Sequence, residues 1–113
     1  MTPRVIDVLQ GTLDLLVLNA LSGDARHGYS ILDWLRRTTR NELSIEDAAL
    51  YPALHRLEAR GLIQSEWGLS ENNRRAKFYE LTTKGRRALR DEAASWQRYV
   101  AIVGRVLDAA GVA

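Results

Sequence analysis

The chain's 113 residues, 46% of them apolar, suffice for one compact domain with a modest core and exclude a disordered chain. The absence of cysteine excludes a disulfide scaffold, a thiolate metal site and a cysteine nucleophile, and it fits a reducing compartment. A net charge of +2 says little by itself, but from Arg74 to Arg90 seven basic residues stand against Glu80 alone, a balance of +6 that leaves the remainder net negative.

No internal repeat, low-complexity tract or linker interrupts the sequence, and its order is helix, helix, helix, strand, strand, long helix. The first helix is expected over roughly Gly11–Leu21, where Leu13, Leu16, Val17, Ala20 and Leu21 recur at helical spacing. Ile6 and Leu9 are expected on the same core, and Ser22-Gly23-Asp24 ends the element. The longest strongly apolar run, Leu15–Leu18, falls far short of a bilayer span, and the first residues lack a secretory pattern. The expectation is therefore a cytoplasmic protein with no membrane partner.

The second helix starts near Gly28 with Ile31, Leu32 and Leu35 as its apolar stripe; Arg36, Arg37 and Arg40 complement the dipole at its end. Trp34 either covers the core edge or meets a partner subunit. For the third helix, Ser44-Ile45-Glu46-Asp47 has capping-box spacing, with Ser44 and Asp47 as caps. Leu50, Leu54 and Leu57 turn inward, and Gly61 supplies the left-handed residue that closes the helix. Pro52 donates no hydrogen bond, so either the helix starts late, near Ala49, or its first turn is irregular.

Ile63–Trp67 and Lys77–Leu81 are expected as paired strands, with Ile63, Ser65 and Trp67 on one face of the first, Tyr79 and Leu81 sharing a face of the second, and Trp67 in the hairpin core. The long polar connection Gly68–Arg74 carries arginine at its base, as a wing reaching for a phosphate backbone needs. Thr82 or Thr83 caps the last helix, which runs to about Ala109. Its Leu89, Ala93, Trp96, Val100, Val103 and Leu107 alternate spacings of four and three, a heptad seam read as a dimerisation surface. The competing reading is a helix folded back along its own domain.

Together these elements make a mainly α protein with a small β-hairpin: a winged helix-turn-helix over residues 1–81 and a C-terminal dimerisation helix over residues 82–113. The third helix is the one that enters a major groove. Opposite its buried leucines lie Ala48, Ala49, Tyr51, Pro52, His55 and either Arg56 or Glu58. Tyr51 can offer its hydroxyl to phosphate or base, and Ala49 and Pro52 can touch a thymine methyl group. Arg56, Arg74, Arg75 and Lys77 suit phosphate contacts, which position without reading sequence. Fourteen of the sixteen basic residues are arginine, the better bidentate phosphate ligand.

His27 reads as a turn residue ahead of the alternative, a phosphate contact. Two isolated histidines without cysteine make no metal site, and no cofactor is expected. An enzyme is not expected either, for want of a Ser–His–acid set or a phosphate-cradling glycine loop. The alternative function is a winged-helix protein-interaction module without DNA binding, for which the acidic Glu42, Glu46, Asp47 and Glu58 leave room.

The run from Glu46 to Ile63, with Leu50-Tyr51-Pro52, Arg56-Leu57-Glu58 and the closing Gly61, resembles the hallmark of the PadR family of bacterial transcriptional regulators. So do Gly11-Thr12-Leu13-Asp14, His27-Gly28-Tyr29, Glu66-Trp67, Glu71-Asn72-Asn73-Arg74-Arg75 and Tyr79-Glu80-Leu81-Thr82-Thr83-Lys84-Gly85. The likeness spans Leu9 to about Leu107 and points to the short subfamily with a single C-terminal helix. It implies a homodimeric repressor of transport, detoxification or stress genes, bound to a palindromic operator in double-stranded DNA. By the same carry-over Tyr51, the small Ala48 and Ala49, Asn73 and the wing bases are DNA contacts, and Tyr29 is a phosphate contact. Relatives often carry Gly-Ser or Gly-Thr where Ala48-Ala49 stand, so a hydroxyl base contact is missing here. Trp96 is first a packing residue of the seam. Because some relatives bind aromatic compounds between subunits, the sharper expectation is that Trp96 stacks on a flat aromatic effector.

Overall fold

The computed structural model describes residues 6–7 and 11–111; Leu9 and the side chain of Ile6, both expected on the core, lie outside the described residues. In chain order the elements are β1 (Ile6–Asp7), α1 (Leu13–Ala20), β2 (Arg26–His27), α2 (Gly28–Thr38), β3 (Leu43–Ser44), α3 (Asp47–Ala59), β4 (Ile63–Leu69), β5 (Arg75–Leu81) and α4 (Thr83–Ala109). α1, α2 and α3 enclose one core. Val17, Leu18, Ile31, Leu35, Leu50, Leu54 and Leu57 are its most deeply buried side chains, and Leu62, Ile63, Tyr79 and Leu81 close it from the sheet side. Trp34 packs half-buried on the edge of this core, beneath the Arg26 guanidinium.

The third helix begins earlier than its proline suggested. Its opening turn is tightened by an Ala49 N–H to Glu46 carbonyl bond of 3.1 Å, spanning three residues rather than four. Pro52, one turn further on, removes only the bond to the carbonyl of the exposed Ala48, where water can replace it. The expected capping box does not form. Glu46 is the N-cap and makes no side-chain cap bond, Ser44 is paired in β3 beside Asp7, and Asp47 is held by Arg36. Arg36 also donates to the Ile45 carbonyl at 3.3 Å, so it fastens the turn between α2 and α3 rather than merely offsetting a helix dipole.

β4 and β5 pair antiparallel, in the register Ile63 with Leu81, Ser65 with Tyr79, Trp67 with Lys77 and Leu69 with Arg75. β2 adds a third strand against β5, and β1 pairs parallel with β3. The hairpin strands are longer than expected, which shortens the connection to Ser70–Arg74. There Asn73 takes a left-handed φ of 59° and the Ser70 N–H reaches the Arg74 carbonyl at 2.8 Å. The extra length corrects the reading of Trp67: the sheet outruns the core, and the tryptophan stands 57% exposed on the overhang.

α4 starts at a tight junction. The Thr82 hydroxyl oxygen accepts the Gly85 N–H at 3.0 Å while its proton goes to the Gly61 carbonyl at 2.7 Å. Lys84 donates to the Arg60 carbonyl at 2.9 Å, and the Thr82 N–H bonds the Leu62 carbonyl at 3.0 Å. These bonds satisfy the carbonyl at the C-cap of α3 and the two that follow it. A Cβ on Gly85 would sit 1.9 Å from the Leu62 carbonyl oxygen, so only glycine lets the two segments meet. Beyond Ala88 and Leu89, which pack on the core, the helix runs clear of it. The radius of gyration is accordingly 16.0 Å, against about 13 Å for a compact domain of this length. Among the described residues no helix is long and apolar enough to cross a membrane.

Gly85→Ala must push backbone from backbone, and overpacking of this kind costs about 1–3 kcal/mol or more. The expected result, at fixed protein concentration, is a Tm lower by roughly 4–8 °C per kcal/mol. Gly23→Ala, whose Cβ would meet nothing within 4 Å, should leave Tm unchanged and serves as the control in the same calorimetric scan.

Candidate nucleic-acid interface

Tyr51 leaves the exposed side of α3 and lays its phenol across the first turn of α2. A Cβ built on Gly28 would lie 2.7 Å from the Tyr51 hydroxyl, so the absent side chain of Gly28 is the seat of the ring. The turn beneath is fixed by His27, which is buried and caps α2 by accepting the Ser30 N–H on Nδ1 at 3.2 Å. A neutral His27 then carries its proton on Nε2, which faces the Glu71 carboxylate across 3.5 Å, and the Phe78 ring meets the imidazole edge-on. Glu71 sits in the β4–β5 connection. Its carboxyl is held below the usual carboxylate range, first by its own backbone N–H and then by His27. One histidine thus ties the hairpin tip to the start of α2, beyond the turn role expected for it.

Between α2, α3 and the hairpin lies a groove of about 480 Å³. Tyr29, Tyr51, Trp67 and Tyr79 supply its aromatic walls, and Arg74, Arg75 and Lys77 its basic rim. Tyr29 is 68% exposed and Tyr51 55%, a large aromatic area left facing outward. Burial pushes the Tyr79 phenol up, with Glu58 and Tyr51 adding to the effect, so it stays a neutral wall of the groove. Among the described residues none of the three rim cations has an ion-pair partner: Arg75 lies over the Trp67 ring at 4.7 Å and Lys77 over the Tyr79 ring at 6.0 Å.

The predicted contact residues therefore divide. Tyr29, Tyr51, Arg74, Arg75 and Lys77 converge on the groove, with the exposed Asn73 at the turn beside it. Ala48, Pro52 and His55 are exposed along α3 outside it, and Ala49 is half-buried against the core. Arg56 stands apart: its guanidinium grips Asp14 of α1 at 2.8 and 3.3 Å and fastens α3 to α1. Trp67, Gly28 and Glu71 were not among the predicted contacts. Strand alternation does place Trp67 on the same face as Lys77 and Arg75, the signal that could have found it. No group of three His, Cys, Asp or Glu side chains among the described residues could hold a metal ion.

On α4, Leu89 is half-buried against its own core rather than on a free seam. Ala93, Trp96 and Val103 are half-buried, while Val100 and Leu107 are exposed together with Tyr99, Ile102 and Val106, which lie off the heptad positions. At about 100° per residue, Trp96, Tyr99, Val100, Ile102, Val103, Val106 and Leu107 form one face broader than a two-helix seam. A second groove, of about 400 Å³, lies where Gly11, Thr12 and Leu15 face Glu92, Ser95, Trp96 and Tyr99.

Residues 17–91 match the transcriptional regulator PadR-like family. The chain is similar to a PadR family transcriptional regulator from Eggerthella lenta, with 36% identity and a TM-score of 0.74 over 87% of this chain and 83% of that one. A PadR family transcription regulator from Clostridium difficile gives 28% identity and a TM-score of 0.75 over 86% and 99% of the two chains. Bacillus subtilis PadR in complex with operator DNA shares the winged-helix fold, with 24% identity and a TM-score of 0.65 over 73% and 47%.

Gly28→Ala separates the seat of Tyr51 from stability. The new methyl group meets only the far end of the Tyr51 side chain, and alanine is the better helix former, so stability should change by no more than about 1 kcal/mol. The Tyr51 ring resonances should nevertheless shift in NMR spectra, and unchanged resonances would show that the ring does not rest on Gly28.

Proposed function

The chain belongs to the PadR-like family of transcriptional regulators, and we propose that it represses its target genes as a homodimer seated on a palindromic DNA operator. Members of this family are transcriptional regulators rather than enzymes. The observation that carries the DNA-binding reading is the groove itself: Tyr29 and Tyr51 and the cations Arg74, Arg75 and Lys77, without ion-pair partners among the described residues, converge beside the start of α3. On this reading α3 lies in the major groove, where Ala48, Tyr51, Pro52 and His55 meet base edges, and the wing cations hold the phosphate backbone. Ala49, half-buried, supports that surface more than it reads it, and Arg56 positions α3 through Asp14.

Residues 82–113 supply the dimer contact. Tyr99, Val100, Ile102, Val106 and Leu107 are exposed in the isolated chain, and fully burying one such aliphatic side chain is worth about 1.5–3 kcal/mol. Residues 1–81 then form the DNA-binding unit that each subunit carries. The competing reading, an interaction module without DNA binding, draws on four acidic residues around α3. Two of them are engaged inside the molecule, Asp47 by Arg36 and Glu58 by the Ser65 hydroxyl at 2.7 Å, which favours the DNA reading.

Regulation acts through the spacing of two recognition helices, which must reach successive major grooves about 34 Å apart. A flat aromatic effector stacked on Trp96, in the groove shared with Tyr99 and Leu15, would favour a dimer of different spacing and release the operator. Planar aromatic compounds should therefore quench tryptophan fluorescence in the wild type and not in Trp96→Ala, and no quenching by any of them would remove the effector.

The wing is tested by salt. Replacing Arg74 and Arg75 together with alanine should weaken binding to every duplex and flatten the dependence of log K on log salt by about 1 to 2. An unchanged slope would take the wing out of the interface.

A further inference from the structure

We propose that Trp67 is a positioning residue of the DNA interface, whose indole face holds the Arg75 guanidinium at the groove rim with its hydrogen-bond donors free for phosphate. The proposal rests on the DNA-binding reading above and names a residue that reading does not use.

The register puts Leu69 opposite Arg75 and Trp67 opposite Lys77, so Trp67 and Arg75 are diagonal neighbours on one face of the hairpin, within reach of long and aromatic side chains. The Arg75 guanidinium carbon lies 4.7 Å from the Trp67 ring centroid. The indole stands 57% exposed at the end of the sheet, outside the hydrophobic core. Trp67 is not among the side chains packed on the core, and the Arg75 guanidinium lies over its ring. The partner also matters. Arg36, Arg37, Arg56 and Arg60 spend donors on carboxylates, whereas Arg75 has no ion-pair partner among the described residues. Guanidinium donors all lie in the plane of the group, so stacking uses the face and leaves the edge open for a bidentate phosphate contact. An arginine already held in place loses less freedom when the phosphate arrives. An ammonium group at this position would have no flat face to stack.

The test is a double-mutant cycle on the full-length protein, with duplex DNA from the region upstream of its own gene and with a random-sequence duplex. Trp67→Ala should weaken binding to both about two- to five-fold, the usual range for an exposed cation–π contact. In the Arg75→Ala background the same change should cost nothing further. Trp67→Phe, which keeps a ring, should retain most of the affinity, and Arg75→Lys, which keeps the charge but loses the stack, should fall with Trp67→Ala. Thermal unfolding of each variant checks that it is folded, which the exposure of Trp67 favours. Losses that simply add, a Trp67→Phe as weak as Trp67→Ala, or a Trp67→Ala equal to the wild type would each overturn the proposal while leaving DNA binding intact. A wild-type protein that binds neither duplex overturns the functional reading and this proposal together.

Discussion

Gly85 lets the first turn of α4 lie against the Leu62 carbonyl, and much of the molecule's geometry follows from that approach. Thr82, Lys84 and Gly85 close over the carbonyls of Arg60, Gly61 and Leu62, so the end of α3 and the start of α4 are one hydrogen-bonded junction rather than two elements joined by a hairpin. A helix of 27 residues then leaves the core from a fixed point. On the proposed dimer, whatever sets the packing of two such helices also sets the distance and angle between the two copies of α3. Interfaces of packed side chains shift between discrete arrangements, so in the proposed dimer a small change at Trp96 would become a change of register on DNA.

The other end of the molecule shows a division among its arginines. Arg36 and Arg56 are structural: each crosses between helices to a carboxylate, and together they orient α3 against α1 and α2. Among the described residues Arg74 and Arg75 have no such partners, on a hairpin that overhangs the core. Unpaired cations on an exposed hairpin contribute little to folding. They are ready to exchange water and counterions for phosphate. The tether from His27 to Glu71 keeps that hairpin in relation to the turn on which Tyr51 rests, so the aromatic and basic parts of the groove share one support.

The helical skeleton was legible wherever a period was long enough to read. Leu50, Leu54 and Leu57 gave the buried face of α3, Gly61 its left-handed end at φ 74°, and α4 its extent to Ala109. What stayed hidden depended on partners distant in sequence. Ser44 looked like a cap because β3 is two residues long and has no period of its own; its pairing with β1 lies far up the chain. Arg56 looked free because Asp14, which holds it, is 42 residues away. Alternation gave the face of Trp67 but not the point where the core ends beneath the sheet. The convergence of Tyr29, Tyr51 and the wing cations was readable as a set, while the seat that Gly28 provides for Tyr51 required coordinates.

The central claim is that two copies of α3, spaced by α4, read one two-fold-symmetric site. A protection footprint of the full-length protein on the DNA upstream of its own gene tests it most directly. The expected result is a pair of inverted half-sites on one face of the duplex, with centres about 10 base pairs apart. Absence of any protected site, or protection of a single half-site by a protein that sediments as a monomer, would contradict the account.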